Sequence, residues 1–107
     1  MSQFDDRRTA HETKHVRDED MAFRITARRN RLLGVWAAEQ MKLTAEETSA
    51  YATSVVQADF EEVGDEDVIR KLLGDLAAAG VDIDDARIRT ALADKSVEAR
   101  RQLMEAQ

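Results

Sequence analysis

The chain has 107 residues, a formal net charge of −6, no cysteine and no proline. That length suits one domain able to fold without disulfides or a metal, and the absence of thiols excludes cysteine nucleophiles and thiolate metal sites. No stretch approaches the roughly 20 apolar residues that span a bilayer, and no apolar run follows the N-terminal charges, so a soluble protein is expected, and the lack of cysteine suits a reducing cytoplasm.

Charge is unevenly spread. Residues 1–31 carry eight Lys/Arg against six Asp/Glu, residues 39–67 carry one against nine, and residues 68–107 carry seven of each. A broad basic surface for nucleic acid is disfavoured, because phosphate neutralisation supplies most of such affinity. A protein partner of mixed charge fits better.

Residues 1–18 offer only Met1, Phe4, Ala10 and Val16 among charges and polar groups. Such a segment cannot bury itself, and it reads as a flexible, partly helical arm that orders against a partner. Residues 19–107 are rich in Ala, Leu, Glu and Arg, with four glycines in the whole chain, and little in them punctuates a sheet.

The first helix of the body is expected from about Asp18 to Lys42, with Met21, Ile25, Leu32 and Trp36 on one side and Leu33, Ala37 and Met41 beside them. Gly34 lies inside it, at a close approach or a slight bend. Thr44-Ala45-Glu46-Glu47 reads as a capping box opening a second helix, in which Tyr51, Ala52, Val55, Val56 and Phe60 recur at three- and four-residue spacing and which should stop near Gly64. Asp65 can cap a third, whose apolar face is Val68, Ile69, Leu72, Leu73 and Leu76, ended by Ala78-Ala79-Gly80. Asp82 or Asp84 starts the fourth, amphipathic through Ile88, Leu92, Ala99 and Leu103. Short connections make consecutive helices antiparallel, so the predicted fold is an all-α four-helix bundle.

The chemical motifs are few. His11-Glu12-Thr13-Lys14-His15 matches the H-E-x-x-H zinc-protease pattern. The buried rigid helix and third ligand that the pattern requires are missing from this polar arm, and no further histidine or cysteine exists. No phosphate loop, dinucleotide fingerprint or nucleophile elbow occurs, so no enzyme is expected. Asp82-x-Asp84-Asp85 lacks the glycine and glutamate of a calcium loop and suits a helix start. Arg28-Arg29-Asn30-Arg31 ahead of Leu32 and Trp36 admits two readings: core residues with snorkelling arginines, or arginines gathering phosphates beside an aromatic ring.

Three blocks, Phe4-Asp5-Asp6-Arg7, Arg28 to Ala38, and Ala58-Asp59-Phe60-Glu61-Glu62-Val63-Gly64-Asp65-Glu66-Asp67-Val68, resemble the alphaproteobacterial zeta subunits that inhibit the F-type ATP synthase. The resemblance covers essentially the whole chain. It implies a four-helix bundle whose N-terminal segment inserts at a catalytic interface of the synthase head and blocks ATP hydrolysis, with ADP or ATP bound by the bundle as a regulator. Carried over by position, the inhibitory contacts fall on Phe4, Asp5, Asp6, Arg7, Glu12 and Lys14. His11 and His15 stand where similar proteins tend to place large apolar residues, which makes them candidate pH sensors. On charge and stacking grounds, the nucleotide would fall to Arg28, Arg29, Arg31 and Trp36. Such a protein would be cytoplasmic and peripheral to the inner membrane through the synthase. A non-catalytic helical adaptor or nucleotide sensor, with weak or no inhibition, is the alternative.

Overall fold

A computed structural model describes the backbone of residues 3–59 and 64–105 and the side chains of residues 20–59 and 64–105. It is a four-helix bundle: α1 (Gln3–Gln40), α2 (Ala45–Ala58), α3 (Glu66–Ala78) and α4 (Asp85–Glu105), with no strand among the described residues. The bounds of α1 take in most of the predicted arm. The side chains of Phe4, Asp5, Asp6, Arg7, His11, Glu12, Lys14 and His15 lie outside the described residues, as do Phe60, Glu61, Glu62 and Val63.

Local chemistry sets the helix ends. At the start of α2 the Thr44 hydroxyl accepts from the Glu47 N–H at 3.2 Å, and the Glu47 carboxylate accepts from the Thr44 N–H at 2.9 Å, closing the expected capping box. The Asp84 carboxylate accepts from the Arg87 N–H at 2.8 Å, so Asp84, not Asp82, caps α4. After α3, Gly80 adopts φ 78° while its N–H reaches Ala77 O and the Val81 N–H reaches Leu76 O, the paired bonds of a left-handed C-terminal cap. Lys42 takes the same role after α1 at φ 60°, with the Leu43 N–H on Ala38 O.

Besides the start of α1, one boundary and one cap differ from expectation. α2 ends at Ala58, well before Gly64, with Asp59 as its C-cap. An acid there opposes the negative end of the helix dipole, and this one turns toward Arg29. Asp65 does occupy the N-cap of α3, yet its carboxylate makes no cap hydrogen bond. It pairs with Arg29 instead, at 2.9 Å.

Helix α1 is the axis of the bundle. It packs against all three others, whereas α2 and α4 do not touch each other among the described residues. Gly34 is the point of closest approach: a Cβ there would lie 2.7 Å from Ala52 Cα and 3.2 Å from Val55 Cγ2, so α2 seats directly on the α1 backbone. The core comprises Leu33 and Ala37 of α1, Val55 of α2, Val68, Ile69, Leu72 and Leu76 of α3, and Ile88 and Ala91 of α4. Trp36, Met41, Tyr51, Leu73, Val81, Ile83 and Leu92 close over it.

This core sits at one end of the bundle. Helix α3 has 13 residues, about 20 Å, and α4 has 21, about 32 Å. The C-terminal half of α4 therefore runs along residues 21–29 of α1 beyond the reach of α3. At that end Phe23, Val97 and Met104 remain exposed.

Candidate functional site

Because α2 and α4 stay apart, an open groove of about 480 Å³ runs over α1 between them. Phe23, Arg24, Ala27, Arg28 and Arg31 form its floor, with Val56 of α2 and Leu103 of α4 as its walls. Residues 24, 28 and 31 recur at four and three, so one face of α1 carries three guanidinium groups on successive turns. All three arginines are exposed, and the Phe23 ring beside them is 56% exposed. Arg24 pairs with Asp20 at 3.1 Å, and Arg28 Nη1 donates to Gln102 Oε1 at 3.0 Å. Arg31 makes no ion pair among the described residues. These exposed interactions exchange readily with solvent, so the guanidinium forks remain available to an anion.

Arg29 does something different. Its side chain is 11% exposed and points away from that groove. Nε and Nη2 both donate to Asn30 Oδ1, at 3.0 and 2.9 Å, and Nη2 donates to Asp65 Oδ1 at 2.9 Å, with Asp59 Oδ2 at 4.0 Å. Asn30 is itself buried. Arg29 thus ties the end of α2 and the start of α3 to the middle of α1, and its Nε and Nη2 are committed to protein acceptors.

Trp36 lies about 12 Å along the helix from Arg28 and faces α4. It packs against the core, and the Arg87 guanidinium sits 5.4 Å from its ring centre. Of the four residues the sequence proposed for nucleotide, Arg28 and Arg31 meet in one groove, while Arg29 and Trp36 are held elsewhere. Phe23 and Arg24 join the groove without having been singled out. Arg24 shares the four- and three-residue spacing of Arg28 and Arg31, whereas nothing in the spacing marks Phe23.

Other charged groups serve the scaffold. Arg89 binds Glu66 with two N–H donors at 3.0 and 2.9 Å, joining α3 to α4, and this hydrogen bonding holds the Glu66 carboxyl below its ordinary range. The Tyr51 hydroxyl donates to Asp75 at 2.8 Å, and its pKa is driven up by burial and then by that carboxylate. No cluster of three or more His, Cys, Asp or Glu that could hold a metal occurs among the described residues, and no described helix is long and apolar enough to cross a membrane.

A family model described as ATPase inhibitor subunit zeta matches residues 1–102, taking in both the arm and the bundle. A protein solved by solution NMR is 44% identical, over 81% of this chain and 99% of that one, with a TM-score of 0.73. A comparison with curated proteins finds no match. With the family pattern running through nearly every residue described above, and the same bundle found in a solved structure at this identity, the chain belongs to the ATPase inhibitor subunit zeta family, a class of inhibitory regulators.

Proposed function

We propose that this protein inhibits ATP hydrolysis by the F-type ATP synthase, inserting residues 1–18 at a catalytic interface while the bundle stays outside and binds ADP or ATP as a regulatory signal. Phe4, Asp5, Asp6, Arg7, Glu12 and Lys14 make the arm's contacts, and His11 and His15 make them pH-dependent. The protein itself carries out no hydrolysis and reaches the inner membrane only through the synthase.

The observation that carries the nucleotide half is the groove on α1, where Arg24, Arg28 and Arg31 stand on successive turns beside the exposed Phe23 ring. Guanidinium forks match phosphate oxygens, and an aromatic face suits a purine. The groove is built on α1, the helix whose bounds also take in most of the arm. A nucleotide gripping that helix can bind the arm-docked and arm-free forms unequally, which is the condition for regulation.

The test is hydrolysis by the purified synthase, with and without residues 2–18 of the added protein, between about pH 6 and 8, the range spanned by histidine titration. Inhibition that vanishes with the arm and varies across this range supports the wedge and its histidines. Absence of inhibition at every pH leaves the helical nucleotide sensor as the better description. Titrating ADP into the full chain tests the groove: Arg28→Glu with Arg31→Glu should abolish binding, and Trp36 fluorescence should barely respond, because that ring packs against the core away from the groove.

A further inference from the structure

A second groove, of about 590 Å³, lies between α1 and α4 on the side that α3 would cover if it were longer. Met21 and Ile25 of α1 and Val97 and Met104 of α4 line it, and Arg100 stands at its lip. Val97 is 70% exposed and Met104 52% exposed. Arg29 also lines it, and since Arg29 binds Asp65 at the N-cap of α3, the groove opens at the N-terminal end of α3.

Among the described residues the groove is therefore bounded by two antiparallel helices and in line with a third. Its geometry is that of a missing helix. From this we infer that the groove is the bundle's docking site on the synthase, and that it receives an amphipathic helix of the partner presenting apolar side chains at three- and four-residue spacing with a carboxylate beside them.

Three observations point to this occupant. The walls are mostly apolar, with Thr26 and Ser96 among them, and include two methionines, whose flexible thioethers adapt to a foreign side chain better than branched residues do. Arg100 is exposed and makes no ion pair among the described residues, in a chain whose net charge is −6, so the lip favours an acidic partner locally. The third is reach. Lys14 and Phe23 are nine residues apart, about 14 Å as helix and at most about 31 Å fully extended. Whatever grips the arm must lie close to this end of the bundle.

The inference rests on the proposed inhibition for the name of the partner and for the reach of the arm, and two full-chain variants separate the two readings. Binding to the purified synthase and inhibition of its hydrolysis are measured for the wild type, for Val97→Glu with Met104→Glu, and for Phe4→Ala. The groove variant should weaken binding by roughly tenfold or more, the effect of removing a central apolar anchor. Arg100→Glu should weaken it further, whereas Arg100→Lys should be tolerated. Thermal melting of each variant excludes a folding defect, which exposed positions should not produce.

If the groove variant binds and inhibits as the wild type does, the docking site is overturned and the arm reading stands. Wild type that binds without inhibiting removes the arm reading, and the groove is still judged by the loss of binding. Wild type that fails to bind removes both. A wild-type dimer made monomeric by Val97→Glu with Met104→Glu would assign the groove to a second copy, and stronger inhibition by that variant would assign it to the chain's own arm; either overturns the inference.

Discussion

The two ends of this bundle use the same helix α1 for opposite purposes. Where α3 is present, Leu33 and Ala37 are buried under three other helices and the polar groups of the surrounding turns are capped. Where α3 is absent, the same helix shows Phe23 and three arginines to solvent, flanked by two grooves. One end resists change because its core side chains are fully packed. The other should tolerate change with little loss of stability, because side chains such as Val97 and Met104 are exposed.

Truncating the closed end should break that contrast most severely. Leu72→Ala empties a fully buried site and should cost about 2–5 kcal/mol in chemical denaturation, while Val97→Ala at the open end should stay within about 0.5 kcal/mol. Equal effects would show that the ends do not differ in packing. Gly34→Ala comes next. Its Cβ would meet Ala52 backbone at 2.7 Å, an atom that cannot swing aside, so α1 and α2 must separate at a cost of about 1–3 kcal/mol.

The arginines sharpen the comparison within four residues. Arg29→Ala strips Asn30 Oδ1 of two donors and should destabilise by about 1–3 kcal/mol, and the part-exposed Asp65 regains water and limits the loss. Arg28→Ala should leave the melting temperature nearly unchanged and weaken ADP binding instead. The smallest effect lies at the α2 cap. Thr44 hydrogen bonds, first from its backbone and then its side chain, hold the Glu47 carboxyl below its ordinary 4.5. A carboxyl lowered in the folded state contributes stability that is complete above the unfolded value and is lost as pH falls through the folded one. Stability should therefore decline below about pH 4.5, and Glu47→Gln should flatten part of that decline in melts recorded across the acid range.

The capping box at Thr44 and Glu47, the apolar face of α3 and the stop at Gly80 were all legible, because each is written in residues three or four positions apart. Asp65 was legible only in part. A carboxylate ahead of a helix is a sound cap by local rules, yet Arg29, 36 residues away, outbids the backbone for it. The candidate nucleotide residues divided the same way: a step of about 100° per residue sets Arg29 off the face that Arg28 and Arg31 share, but which face stands open is decided by the neighbouring helices.

What the chain's sequence determined by itself was the number of helices, the places where most of them begin and end, and the faces they bury. Those are consequences of capping and of a 3.6-residue period, and both act within a turn or two. Only the tertiary structure decided that Arg29 is a buried strut while Arg28 and Arg31 are open, that Gly34 is a helix crossing and not a bend, and that α3 is too short to cover α1. Each of these depends on which helix lies over a given face, and that is settled by packing between segments far apart in the chain.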